Sequence, residues 1–247
     1  MYAATLAVIA DWMRALELPV ALLQPRSVDA HETPLTVRMV RTALQARAVI
    51  AVGGGLEGYL PALQRATQGK TPIRTLLDHL RPAPDDLHIW LDLGNARQSC
   101  EQILRWAAQD GLLGIAQRQA WRRTQLLFRQ LEVQVREARR VLQGKAYIAV
   151  HDAYRPLTRR LGMRSLGSLQ PDYERPPSLQ AFRSALARAR QARVAMVLCA
   201  EESPLGATAA RLLRVPLVLA DTLEMPDPTR DYFTRMARLI AALQQAV

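Results

Sequence analysis

Short apolar runs recur along the chain, and each gives way to a stretch whose apolar residues return every three or four positions. PVALL and ARAVIAV lie in the first half, and AYIAV, VAMVLCA and VPLVLA in the second. Runs of this length bounded by helical periodicity predict strands alternating with helices, and that order yields α/β lobes with mainly parallel sheets. Thr33-Pro34 offers an N-cap and first-turn pair for a helix over about 35–46, which leads into a strand near 48–52. Gly53, Gly54 and Gly55 then turn the chain into a helix beginning near Leu56.

The middle of the chain departs from this rhythm. Trp121, Phe128, Leu131, Val135, Ala138 and Leu142 are spaced by seven, then three, four, three and four residues, the signature of one long helix with a single apolar seam. Gly144 follows as a C′ residue. The reading is therefore two α/β lobes joined by one long linking helix: an N-terminal lobe over 1–114, the helix over 115–143 and a C-terminal lobe over 144–247. Lobes of this size sit within the usual domain range of about 50–200 residues. Later, Pro176-Pro177-Ser178 precedes Leu179, Phe182, Leu186 and Ala189, a capped amphipathic helix reaching about Arg190. The segment after Pro228 has similar periodicity, and 81–86 (RPAPDD) reads as an ordered loop.

Charge changes little. The net charge of +11 invites a nucleic-acid reading. The basic residues are scattered arginines, with Lys70 and Lys145 the only lysines, and no basic run is interleaved with aromatics to form a stacking surface. A solvated basic surface without a nucleic-acid partner is the expectation. Apolar stretches are broken by charge well short of the roughly 20 residues a bilayer span needs, so a soluble protein is expected. The opening MYAATLAVIADWMRAL has no basic n-region and carries Asp11 inside its apolar run, so the sequence shown does not read as starting with an intact secretory signal. Cys100 and Cys199 can pair or stay as two buried thiols, and the unpaired state is expected.

With four histidines in 247 residues, their placement is informative. His31 lies in a polar loop after a strand, His88 follows a Pro/Asp loop, and His151 comes directly after a strand. Loops at the carboxyl ends of strands are where open α/β sheets gather ligands. His79, in TLLDHL, reads as helical surface. Asp221 ends VPLVLA as His151 ends AYIAV, so four N and O donors can enclose one divalent cation. Their separations of 57, 63 and 70 residues are far from a local zinc-finger spacing and suit a site assembled only after folding. Glu57 reads as a carboxylate at a helix N-terminus. The triple glycine lacks both the Lys-Ser/Thr of a P-loop and full GxGxxG spacing.

Three segments then become specific. AVGGGLEGYL, DDLHIWLDLGNA and VHDAYRPLTRRLGM, in this order, resemble signatures of the cluster A-I solute-binding proteins, the zinc and manganese receptors of ABC importers. DAHETPLTVRMVRTALQARAVIAV, ERPPSLQAFRSAL and VLADTLEM resemble further segments of that family, so the likeness spans nearly the whole chain. It implies two α/β lobes bridged by a long helix and a metal held in the cleft between lobes by His31, His88, His151 and Asp221. Leu87 stands where the family commonly has proline, and Arg155-Pro156 where it has a small and an aromatic residue; neither change removes a ligand.

The resemblance further implies an extracytoplasmic or periplasmic protein, not an enzyme, that captures Zn2+ or Mn2+ as transported ligand and delivers it to an ABC permease; a monomer is expected because the proposed site lies within one chain. Three nitrogens favour Zn2+ on ligand softness. Two other jobs use the same donors: a zinc-dependent hydrolase with three histidine ligands and an open coordination position, for which no HExxH-type base is seen, and a metallochaperone or adhesion protein on the same fold.

Overall fold

The computed structural model describes residues 1–25, 33–82, 87–170 and 176–247. His31 and most of the 81–86 loop lie outside the described residues. By packing, the chain divides into a first unit, Met1–Gln130 with Leu223–Thr234, and a second, Leu131–Thr222 with Arg235–Val247.

In the first unit β1 (Tyr2–Ala4), β2 (Val20–Leu22), β3 (Val49–Ala51) and β4 (Ile73–Thr75) form a sheet of order β2-β1-β3-β4, with every pairing parallel. The helices between them are α1 (Ala7–Ala15), α2 (Val37–Gln45) and α3 (Leu60–Ala66). The second unit repeats the order as β6-β5-β7-β8, using β5 (Ala146–Ala149), β6 (Arg164–Ser168), β7 (Met196–Cys199) and β8 (Leu217–Leu219), again all parallel. Its helices are α6 (Arg155–Arg160), α7 (Leu179–Gln191) and α8 (Pro204–Leu213). The mainly parallel α/β architecture expected from the alternating runs is what forms. Parallel strands demand crossovers that cover the sheet faces, so Val49, Ile50 and Ala51, like Met196–Cys199, are buried on both sides.

Local chemistry moved some boundaries. The cap of α2 is Thr36, whose side chain accepts from Met39 N, so the helix starts at Val37 and not behind Thr33-Pro34. The helix expected from Leu56 starts only at Leu60, because Gly53, Gly54 and Gly55 all have positive φ and Glu57 ties the turn back on itself. A Cβ on Gly53 would also lie 2.8 Å from Thr75 Cβ. Ser178 caps α7 through Ala181 N, as its sequence position predicts.

The long helix forms as α5 (Ile115–Leu142). Phe128, Leu131, Val135, Ala138 and Leu142 are buried as predicted, whereas the first turns bury Ala120 and Thr124 while Trp121 sits part-exposed beside them. Thr124 fits an apolar seam because its hydroxyl donates to the Ala120 carbonyl. Gly144 closes the helix at φ +81. Two further helices, α4 (Leu93–Gln109) and α9 (Tyr232–Gln245), complete the described elements. Phe128 stacks edge-on against Phe233 at 5.0 Å, and Trp12 against Tyr232 at 5.3 Å, which fastens the start of α9 to the first unit. Among the described residues, no helix is long and apolar enough to cross a membrane. Both cysteines are buried and unpaired.

Asp110, just past α4, locks the first sheet. It accepts the Tyr2 hydroxyl at 2.5 Å and both terminal nitrogens of Arg74 at 2.7 and 2.9 Å. The Arg74 hydrogen bonds hold its carboxyl below the usual value of 3.8. The stability this gives is complete above that value and is lost as pH falls through the depressed folded pKa. Asp110→Asn should lower unfolding stability at pH 6 by about 1–3 kcal/mol. Urea denaturation should show the parent-to-variant gap closing at pH values below 3.8; a gap that persisted there would contradict the assignment.

Candidate functional site

The two sheets share a winding that places a topological switch point between β1 and β3 in one unit and between β5 and β7 in the other. Crevices outside the carboxyl ends of strands at such points are where open α/β sheets bind ligands. The units use theirs differently.

In the first unit the crevice is filled. Glu57 is buried there and accepts from Val52 N at 2.8 Å, Gly53 N at 2.9 Å and the Thr5 hydroxyl at 2.6 Å. Thr5 follows β1, and Val52 and Gly53 follow β3. Burial raises the Glu57 pKa, opposed by the hydrogen bonds from Thr5, Gly53 and Val52. The glycine turn is therefore shaped around an internal carboxylate, not around a bound phosphate, and the expected dipole role of Glu57 is replaced by capture of two backbone amides. Glu57→Gln puts an amide NH2 where acceptors are required, and differential scanning calorimetry should show the thermal midpoint lowered by an amount equivalent to about 1–3 kcal/mol.

In the second unit the crevice is open. A cavity of about 210 Å³ is lined by Val150 and His151 after β5, Gln170 after β6, and Cys199, Ala200, Glu201 and Ser203 at the end of β7. His151 is held there by its neighbours. Asp152 accepts from the Tyr147 hydroxyl at 2.8 Å, the Ser165 hydroxyl at 2.5 Å and Arg155 Nε at 2.8 Å, and its own amide donates to Ser168 Oγ. Tyr154 is fully buried and its hydroxyl donates to the Ala220 carbonyl at 2.7 Å. Pro156 is buried in the first turn of α6. The motif VHDAYRP is thus one imidazole on a turn whose other members are clamps.

His88 is built the same way. Ile89, Trp90 and Leu91 form a fully buried 3-10 turn, and Asp92 caps α4 through Asn95 N. The Trp90 carbonyl accepts the Tyr232 hydroxyl at 2.7 Å. The His88 ring meets Trp90 edge-on at 5.2 Å, and its Nε2 lies 2.6 Å from Glu224 Oε1. Both side chains are largely buried, 11% and 5% exposed. Glu224 is held in turn by its carbonyl, which accepts from Gln24 Nε2 at 2.9 Å, while Gln24 Oε1 accepts from Ala7 N at the start of α1.

Asp221 does follow β8, as its sequence position predicts, but its carboxylate forms a two-pronged pair with Arg235, Oδ2 to Nε and Oδ1 to Nη2, each at 2.7 Å. Arg235 is 4% exposed and Asp221 45%. Of the four sequence candidates, His88 and Asp221 each meet a charged partner within their own unit, His151 lines the open crevice, and His31 lies outside the described residues. Among the described residues no group of three or more His, Cys, Asp or Glu side chains is drawn close enough to hold a metal. His79 stands apart in a 3-10 turn, edge-on to Trp106. Glu224 and Gln24 were invisible to sequence reasoning: Glu224 is one of 22 acidic residues, and its burial beside His88, which only the fold reveals, is what sets it apart.

Two α/β units of one winding and a long helix are the architecture of a solute-binding protein. The chain belongs to the family described as zinc-uptake complex component A, periplasmic, whose model matches residues 3–246. Solved structures agree in fold. The metal-dependent lipoprotein YcdH from Bacillus subtilis is 17% identical, covers 100% of this chain and 98% of its own, and has a TM-score of 0.84. The solute-binding protein FpvC from Pseudomonas aeruginosa, in complex with Mn2+, is 15% identical over 100% and 97%, with a TM-score of 0.88. The Zn(II)-bound ZnuA-like domain of Streptococcus pneumoniae AdcA is 17% identical over 99% and 97%, with a TM-score of 0.80. No curated protein matches the sequence.

Proposed function

We propose that this chain captures a divalent metal ion outside the cytoplasmic membrane and hands it to the permease of an ABC importer, binding its cargo without chemical turnover. The observation that carries this reading is a buried imidazole set 2.6 Å from a buried carboxylate, His88 and Glu224, in a chain that belongs to a zinc-uptake family. Nitrogen and carboxylate oxygen are the donors a borderline-soft divalent ion takes. His31, His88 and His151 supply neutral imidazoles, and a carboxylate completes the set.

Three nitrogens favour Zn2+ over Mn2+. Zn2+ and Mn2+ both occur in solved relatives, in the AdcA domain and in FpvC respectively. A four-donor protein shell leaves no position at which water is activated, which separates a carrier from a zinc hydrolase. The chain works as a monomer, with the permease as its partner.

His88→Ala and His151→Ala should each weaken Zn2+ in a competitive chelator titration by at least the roughly 10–100-fold that loss of an outer-shell partner costs. Parent-like affinity in both variants would sink the reading. Zinc should also be released as pH falls through the range where free imidazoles protonate, about pH 6.5 and below, which equilibrium dialysis at stepped pH measures.

A further inference from the structure

We propose that the outward face of α5 is a docking surface for an anionic lipid bilayer. The inference goes beyond metal capture and does not depend on which residues hold the ion.

Two seams run along this helix on opposite sides. The inward one holds Phe128, Leu131, Val135, Ala138 and Leu142 and is buried throughout. Halfway round the helix, Arg118, Arg122, Arg129, Arg136 and Arg140 share one face with Ile115, Leu126 and Val133, again at steps of three or four residues, and every one of these positions is exposed. The helix carries seven arginines against two glutamates, so five of the eleven net positive charges of the chain sit on 28 of its 247 residues. Among the described residues, the α5 arginine that forms an ion pair is Arg123, with Glu17 at 2.5 Å, and it lies to one side of this face.

Exposed aliphatics scattered singly need no partner. Ile115, Leu126 and Val133, 77%, 54% and 42% exposed, instead share a face with arginines, bordered by Gln119, Gln130 and Glu137. Guanidinium groups for phosphate and short aliphatics for the acyl boundary are what a basic amphipathic helix offers to anionic headgroups. The face carries no aromatic ring on which bases could stack, which argues against single-stranded nucleic acid. From Ile115 to Arg140 it runs roughly 38 Å at 1.5 Å per residue, so its occupant has to be extended and flat, whereas a small anion covers one turn. Because Phe128, Leu131 and Val135 are buried inward, the helix cannot roll over to place them in hydrocarbon. Attachment is therefore peripheral and electrostatic.

A second feature of the same helix points to phosphate. A groove of about 440 Å³ opens between Val135, Arg136 and Arg139 of α5 and Arg160 at the end of α6, with Glu132 as the carboxylate on its wall. All five residues belong to one unit. Arg139 donates to the Arg160 carbonyl at 3.0 Å, which steadies its guanidinium beside the opening. Positive charge on both walls suits a phosphodiester, so the groove gives the face a seat for one headgroup. A metal carrier attached in this way stays beside the membrane in which an importer's permease sits.

The test is co-sedimentation of the full chain with vesicles of phosphatidylcholine alone, or of two parts phosphatidylcholine to one part phosphatidylglycerol, at low and at raised salt. The parent should bind the anionic vesicles at low salt, leave them as salt shortens the Debye length, and ignore phosphatidylcholine. Arg122→Gln, Arg129→Gln, Arg136→Gln and Arg140→Gln together should weaken binding by about tenfold or more. A control that removes four exposed arginines elsewhere, Arg41→Gln, Arg183→Gln, Arg188→Gln and Arg211→Gln, should stay within about threefold of the parent, because those charges lie off the docking face. Lysine at the same four α5 positions keeps the charge and should keep the binding, and it replaces the glutamine set if that set melts below the parent. No binding to anionic vesicles, equal binding to both vesicle types, parent-like binding by the α5 glutamine set or an equal loss in the control overturns the proposal. Loss in the lysine set also overturns it, since a partner that requires the guanidinium fork is a specific anion and not a charged surface.

Discussion

Parallel pairing is the constraint on which everything else in this molecule depends. A parallel strand cannot be reached by a tight turn, so each strand must be followed by a crossover, and each crossover brings the next strand back in the same direction. In both units the outcome is one strand order, β2-β1-β3-β4 and β6-β5-β7-β8, with all carboxyl ends of a sheet along a single edge. The residues just past those ends are thereby gathered from segments remote in sequence, Thr5 with Val52 and Gly53 in one unit and His151 with Ala200 and Glu201 in the other. One such edge is sealed by Glu57 and its three hydrogen bonds, and the other keeps a cavity beside His151.

The histidine motifs carry information because most of their residues are anchors. Ile89, Trp90 and Leu91 are buried, Asp92 caps α4, Asp152 gathers Tyr147, Ser165 and Arg155, and Tyr154 reaches Ala220. Each of these contacts narrows the freedom of a turn that bears one imidazole. Such narrowing lowers the entropy that either side chain would lose on meeting a partner.

Carboxylates show how far one functional group can be redirected by its surroundings. Glu57 binds backbone amides, Asp110 ties Tyr2 to Arg74, Asp152 clamps a turn, Asp221 neutralises Arg235 and Glu224 faces an imidazole. Position in sequence separates these roles poorly. Asp221 and Glu224 are three residues apart, with a left-handed Leu223 between them, and they belong to different units.

Much of the fold was legible in the chain by itself, because apolar periodicity reports which face of an element is buried. The strands at 20–22, 49–51, 146–149, 196–199 and 217–219 and the long α5 follow from it directly. Strands β1, β4 and β6 did not stand out: Tyr2–Ala4 is hidden in a longer apolar stretch, and IRT and RSLGS carry polar residues that a part-buried strand tolerates. The turns that bear His88 and His151 were legible because their neighbours form ordered motifs. The fates of Asp221 and Glu224 were not, since a carboxylate's role depends on which partner lies within about 3 Å. Arg235 and His88 are 14 and 136 residues away from them in the chain. Periodicity and motif order determined the elements and the turns that carry His88 and His151; only folding, which sets distances between residues remote in sequence, decided which carboxylate faces a histidine and which answers an arginine.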